Sequence, residues 1–172
     1  MCMKIRRGVS GAVADTEIAS SPEMANRNAG AGLAMSAGQV GSGLRQSLLR
    51  FDLSAIPAGV ALDSSTMVLT ARPDSSAGLL RAHEVNVDWS EATTWSRFHS
   101  ATTPPFNPAI LASSRGGAGE RSLDISALVS TWLLGKNHGV LLEQDGAPSS
   151  SFHTSEDPDP KLRPELEVCF TR

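Results

Sequence analysis

The chain has 172 residues, with 15 Lys and Arg against 18 Asp and Glu and a formal net charge of −3. This length suits one domain with a sizeable core, and the negative charge offers no bulk attraction for nucleic acid. Apolar runs are too short to span a membrane, and no apolar segment of a signal peptide follows the start MCMKIRRG. We therefore expect a single domain over residues 1–172, without membrane insertion or nucleic-acid binding.

The first third of the chain predicts short strands separated by turns. Residues 12–20 and 33–38 alternate or read as strand, and the loop at 21–32 is rich in turn-forming residues. LLRFDLSAIPAG at 48–59 predicts a strand that enters a turn, with one apolar and one charged face. Its apolar face (Leu49, Phe51, Leu53) should enter the core, while Arg50 and Asp52 face outward.

The middle of the chain continues this pattern. Residues 63–72 and 79–87 predict two strands, with Met67 and Leu69 on one face of the first, and PDSSAG between them suits a hairpin loop. The proline-rich and glycine-rich region 96–120 predicts a loop.

One helix stands out towards the end of the chain. Ile125, Leu128, Val129, Trp132 and Leu133 recur at helical spacing. Asp124 or Ser126 suits the start of this helix and Gly135 its end. Three closing strands follow, in GVLLEQD, SFHTSE and PELEVCF. Many short strands with one short helix predict an all-β, antiparallel β-sandwich.

Two segments offer candidate ligand contacts. DWSEATTWS places Trp89 and Trp95 around Glu91, which suits either a stacking surface for sugar rings or a cover over the end of the core. Basic side chains on strands form the second set (Arg45, Arg50, Arg72, Arg81 and His83). They would either bind carboxylates through the fixed donors of arginine or pair with acids on neighbouring strands.

The two cysteines, Cys2 and Cys169, lie at opposite ends of the chain. They are either free thiols or a disulfide that joins the first and last strands. We favour the disulfide, because the termini of a domain often lie close together.

Catalytic and metal-binding motifs are scarce. The sequence has no Gly-x-Ser-x-Gly motif for a hydrolase and no Cys or His spacing typical of zinc, so we expect neither an enzyme nor a required cofactor. SEDPDP at 155–160 concentrates Glu156, Asp157 and Asp159, which suits either a structural calcium site or a solvated turn.

The order of several segments resembles a known family. VADTEI, NRNAG, RQSLLRFDLSAIPAG, WSEATTW, LDISALVSTWLLGKNHGVLLE and the closing SFHTSE and RPELEVCF are together similar to the bacterial DNRLRE domain family. That family is similar in turn to carbohydrate-binding modules that include alginate binders. The resemblance implies a jelly-roll-like sandwich that acts as a non-catalytic module of a longer, secreted or surface-attached bacterial protein.

The resemblance also implies an acidic, uronate-type polysaccharide as the ligand. The residues expected to bind it form one set, of which Arg50, Arg81 and His83 are the leading members: Arg45, Arg50, Arg81, His83, Trp89 and Trp95. The alternative is a structural or adhesive spacer, or a protein-interaction module, with no small ligand. The absence of tyrosine, and Glu17 where the family usually has an aromatic residue, favour that alternative.

Overall fold

The computed structural model describes residues 1–146 and 148–171, which form eleven strands and two short helices. The strands are β1 (Cys2–Ile5), β2 (Val13–Ala19), β3 (Ala34–Val40), β4 (Gly43–Phe51), β5 (Ala61–Ala71), β6 (Leu79–Glu84), β7 (Ala112–Arg115), β8 (Gly119–Asp124), β9 (Val140–Gln144), β10 (Ser150–His153) and β11 (Glu165–Thr171). The helices are α1 (Trp95–His99) and α2 (Ser126–Leu134). Neither helix of this described part is long and apolar enough to cross a membrane.

The strands pack as two antiparallel layers. In the first layer β11 lies between β1 and β5, and β8 pairs with the other edge of β5. Strand β10 pairs with the C-terminal end of β5, at Ala71, past the residues that pair with β11. The second layer has the order β2-β4-β9-β6-β7. The predicted antiparallel β-sandwich is confirmed.

Strand β3 joins the two layers. Residues 34–37 pair with β10, and residues 38–40 pair with β4. Gly38 lies at this change of partner with a φ of +119°, a conformation that residues with a side chain rarely adopt. A Cβ there would also lie 2.9 Å from the Cα of Ser149. Glycine therefore lets the strand turn from one layer into the other.

The space between the layers holds the main apolar core. Leu49 and Phe51 of β4 are 0% and 1% exposed and point into it, and Leu53 packs against it. Asp52 is exposed and Arg50 is half-buried. The predicted facing of residues 48–53 is confirmed, because successive side chains of a strand point to opposite sides.

The outer face of the second layer is covered rather than open to water. Leu48 and Leu141 lie opposite each other on β4 and β9, and both are fully buried. The long connection between β6 and β7 crosses over them, and its Trp89 and Phe98 complete a second apolar cluster. Arg50 and Arg81 on this face are half-buried.

The segment after β5 corrects one prediction. Strand β5 belongs to the first layer and β6 to the second, so residues 73–78 cross between layers and do not close a hairpin. Turn residues indicate a change of direction but not the partner of the next strand.

The region 96–120 corrects another prediction, because it contains most of α1, all of β7 and the start of β8. Serine, glycine and charged residues dominate β7 and β8. Their pairing with β6 and β5 therefore depends on the surrounding sheets rather than on intrinsic strand preference. The second helix, α1, is also additional to the single helix expected.

Helix α2 and the terminal disulfide confirm two predictions. Leu128, Val129 and Trp132 are buried on one side of α2, and Asp124 Oδ1 accepts the Ser126 amide at 2.9 Å at its start. Cys2 and Cys169 lie opposite each other on β1 and β11 and form a disulfide. The alternative of two free thiols is therefore wrong.

The sequence did not predict a buried arginine, which lies at the end of the sandwich away from α2 and the disulfide. Arg121 of β8 is 2% exposed, and its guanidinium donates to the carbonyls of Ser76 (2.5 Å) and Gly117 (3.3 Å). It also donates to the Ser150 hydroxyl at 3.1 Å and lies over the Phe152 ring. Arg121 therefore ties two crossing loops to the first layer.

Candidate functional site

A cleft lies where β2 begins and β4 ends. Its volume is about 800 Å³. Arg7, Arg50, Asp52 and Glu91 supply its charged side chains, and Trp132 is among its apolar ones. The cleft thus combines an apolar surface with several hydrogen-bonding groups, as small-molecule sites commonly do.

Arg50 is held in the cleft by an aromatic ring. Its guanidinium carbon lies 5.1 Å from the ring centroid of Trp89, and the Trp89 indole donates to the His138 carbonyl at 2.6 Å. In the described part of the chain, Arg50 forms no salt bridge, whereas Arg7, Arg45 and Arg81 each do. Its donors therefore remain available to a ligand.

Asn137 stabilises the end of β4 next to Arg50. Its side-chain amide donates to the Phe51 carbonyl at 2.7 Å, and its Oδ1 accepts the Gly139 amide at 3.0 Å. Gly139 has a φ of +80°, and a Cβ at this position would collide with the Leu49 carbonyl. Close approach of the two backbones therefore positions the strand end from which Arg50 projects.

Arg7 belongs to a group that we call the Arg7 cluster, defined as Arg7, Glu91, Ser155 and Glu156. The Arg7 guanidinium contacts the Glu156 carboxylate, donates to the Ser155 hydroxyl at 3.0 Å and lies 3.5 Å from Glu91 Oε1. The cluster joins residues far apart in the chain, and its two acids outnumber its one cation.

A buried carboxyl group, Asp15 of β2, lies behind the Arg7 cluster. Asp15 is 1% exposed, and its Oδ2 accepts the Ser155 amide at 2.7 Å. Its Oδ1 is buried and has no hydrogen-bond partner among the described residues. Burial raises the pKa of Asp15 to about 6, the Ser155 hydrogen bonds oppose this rise, and the charges of Glu91 and Glu156 add to it.

The family was identified by comparison with known protein families. The model of carbohydrate-binding module family 96 matches residues 9–169. The chain belongs to this family. No curated protein matched the chain.

This match confirms the coarser expectation of a carbohydrate-binding module, whereas the DNRLRE name stays a resemblance. The matched range includes every cleft-lining residue of the module except Arg7.

The remaining basic residues predicted as ligand contacts lie outside the cleft. Arg45 forms a salt bridge with Glu17 of β2, and it lies an odd number of residues from Arg50, which places the two on opposite faces of β4. Arg81 donates to Asp145 Oδ1 at 2.8 Å. The predicted ligand residues therefore do not form one continuous basic surface, and their roles in binding stay predictions.

His83, predicted to contact the ligand, shares the outer face with Arg81 but is only 2% exposed. Its Nδ1 lies 3.1 Å from the carbonyls of Asn107 and Ala109, and its Nε2 lies 3.0 Å from Glu143 Oε1. The covering segment between β6 and β7 causes this burial, because residues 107–109 lie over the imidazole. His83 therefore links that segment to β6 and β9.

The two tryptophans of DWSEATTWS pack against the second apolar cluster. Trp89 is 6% exposed and Trp95 is half-buried. The Trp95 ring lies 4.1 Å from the His99 ring. These positions fit the interpretation of the pair as a core cover, and Trp89 additionally supports Arg50.

The acidic loop at 155–160 uses its carboxylates internally. Asp157 accepts from His153 Nδ1 at 2.7 Å and from the Asp159 amide at 2.9 Å, while Glu156 contacts Arg7. In residues 1–146 and 148–171, the only group of three metal-ligand side chains close enough to share an ion contains both disulfide cysteines with Glu167. The two sulfurs of that group are already bonded to each other, and the group does not include a residue of the acidic loop. The geometry therefore gives no support to a calcium site at 155–160.

Sequence reasoning missed Arg7, Asp15 and Asn137 as residues of the site. Arg7 and Asp15 reach the site by contacts with residues 155 and 156, about 140 positions away, and no local pattern indicates such contacts. One signal was present: Asp15 interrupts a strand whose inward positions should be apolar.

Proposed function

We propose that the module binds an acidic, uronate-type polysaccharide in the cleft between Arg7 and Arg50. The observation that carries this proposal is the guanidinium of Arg50, which forms no salt bridge among the described residues and is held over Trp89 at the cleft wall. Arginine donates two parallel hydrogen bonds to a carboxylate. Fixing its plane on an aromatic ring reduces the conformational entropy that binding would otherwise cost.

The other cleft residues suit the remaining groups of a sugar. Asp52 and Glu91 supply carboxylate oxygens that accept from sugar hydroxyls, and the hydroxyls of Ser54 and Ser90 lie on the same lining. A neutral polysaccharide would use these groups but would leave Arg50 without a carboxylate. Selectivity for a uronate polymer over a neutral one therefore depends on Arg50.

The direct test is calorimetry with polymannuronate and polygalacturonate, and with a neutral mannan for comparison. We expect a uronate polymer to bind more tightly than mannan, and binding to weaken as salt rises because exposed charges are screened. Replacing Arg50 by Ala should weaken uronate binding roughly ten- to a hundredfold, since a hydrogen bond to a charged group contributes about 1.5–3 kcal/mol. Arg50→Lys should recover only part of this loss, because lysine lacks the paired donors.

The matched control is Arg115→Ala, which removes an exposed arginine from β7, outside the cleft. It should leave the affinity unchanged. Failure of both uronate polymers to bind at low salt, with the protein folded, would contradict the proposed ligand. Equal losses in Arg50→Ala and Arg115→Ala would show that the attraction is diffuse and does not involve the cleft.

We further propose that the module is non-catalytic and works outside the cell as part of a longer exported protein. The Cys2–Cys169 disulfide supports this location, because such bonds form and persist in oxidising environments. Titration of free thiols in the unfolded, non-reduced protein from its natural source is the test. Two reactive thiols would contradict the location.

A structural or adhesive spacer is the second candidate function. The salt bridges of Arg45 with Glu17 and of Arg81 with Asp145 favour it, because they neutralise arginines on the strands outside the cleft. A spacer would show no saturable binding of any glycan by calorimetry, and Arg50→Ala would then change nothing.

A further inference from the structure

Asp15 is connected to the cleft by two successive hydrogen bonds. Its Oδ2 accepts the Ser155 amide at 2.7 Å, and the Ser155 hydroxyl accepts from Arg7 Nη1 at 3.0 Å. Arg7 lines the cleft. A change of charge on Asp15 is therefore transmitted to the wall of the cleft by a short and mostly buried path.

The charges around Asp15 are unbalanced. Glu91 and Glu156 face it from two different loops, and Arg7 is the cation that contacts both of those glutamates. Strand β4 places only the apolar Leu49 opposite Asp15. With Asp15 ionised, the Arg7 cluster and Asp15 together hold three carboxylates and one guanidinium, a local charge of −2; with Asp15 protonated, that charge is −1.

The protonated form of Asp15 is also favoured by its burial. Oδ1 has no partner among the described residues and no access to water, so the ionised carboxylate lacks one of its usual sources of stabilisation. The resulting pKa of about 6 places the change of charge in mildly acidic solution.

We propose that Asp15 is a positioning residue that sets the charge of the cleft wall through Ser155 and Arg7, so that an anionic sugar chain binds more tightly at pH 5 than at pH 7. This inference rests on the proposed function, because it requires a negatively charged ligand in the cleft. Protonation of Asp15 lowers the repulsion felt by the ligand carboxylate. A sugar carboxylate itself stays ionised across this range.

The test compares polymannuronate affinity at pH 5 and pH 7 in the full chain and in Asp15→Asn. The wild-type protein should bind two- to sixfold more tightly at pH 5, the effect of one charge at about 8 Å with a dielectric constant of about 40–80. Asp15→Asn should bind equally at both pH values, with an affinity close to that of the wild type at pH 5. The control Asp74→Asn removes an exposed carboxylate from the loop at the opposite end of the sandwich and should keep the wild-type pH dependence.

A second measurement does not depend on the folding of a variant. An anionic ligand that prefers protonated Asp15 must cause proton uptake when it binds near pH 6, and calorimetry in buffers of different ionisation enthalpy measures that uptake. The proposal is overturned if binding is measurable but takes up no proton, or if Asp15→Asn keeps the wild-type pH profile. Those two outcomes would overturn this inference alone. Absence of binding at both pH values would overturn the uronate proposal as well.

Discussion

Opening the Cys2–Cys169 disulfide should cost the module a large part of its stability. The bond joins residues 167 positions apart, so it restricts nearly the whole unfolded chain. The chain-entropy relation for a loop of that length gives about 5 kcal/mol at 25 °C. Domains of this kind have total stabilities of about 5–15 kcal/mol, so this loss is a third of the total or more.

Urea denaturation of the oxidised protein, the reduced protein and Cys2→Ser/Cys169→Ser is the assay. With a slope of about 2 kcal/mol/M, we expect the midpoint to fall by roughly 2.5 M in both disulfide-free forms. Reductant should have no effect on the double variant, which is the internal control. A loss below about 1 kcal/mol would refute the reasoning, because it would mean that the ends are held together in the unfolded chain without the bond.

Three further predictions concern single side chains. Phe51→Ala should lower the free energy of unfolding by about 3–5 kcal/mol, because Phe51 is 1% exposed in the main core; a loss in urea denaturation no larger than that of Arg50→Ala on the same strand would contradict its burial. The pKa of Asp15 rises from 3.8 in the unfolded chain to about 6 in the folded one, so the folded state binds this proton more tightly. Asp15 should therefore contribute up to about 3 kcal/mol to the free energy of unfolding below pH 4, a contribution lost as pH rises through 6. The difference in unfolding free energy between wild type and Asp15→Asn should show this pH dependence. A difference independent of pH would argue against it. Arg121→Met should cost about 2–4 kcal/mol, because it leaves the partly buried carbonyls of Ser76 and Gly117 without donors. Hydrogen exchange should then accelerate in residues 74–78 and 115–118, and unchanged exchange there would show that Arg121 does not hold these loops.

The local pattern of the sequence was sufficient for the facing of β4 and for the main helix. Alternation in 48–53 correctly placed Leu49 and Phe51 in the core, and helical spacing correctly placed Trp132 in α2. These are consequences of the two-residue and 3.6-residue periods, which act between near neighbours and are visible in one short segment. The order of segments along nearly the whole chain also indicated a carbohydrate-binding module, which the family match over residues 9–169 confirms.

What covers each face, and which charges meet, was decided only by the tertiary structure. Alternation marked the outer side of β4 as polar at Arg50, but Leu48 on that side is buried by a connection that starts more than 30 residues later. The cleft brings Arg7 to Glu156, and Asp15 to Ser155, across most of the chain. Such contacts depend on how strands pair between distant segments, and a local pattern contains no information about the partner. The sequence alone therefore determined a β-sandwich with an apolar and a charged side to its strands. Packing of the two layers determined that Arg45 and Arg81 form salt bridges while Arg50 forms none among the described residues.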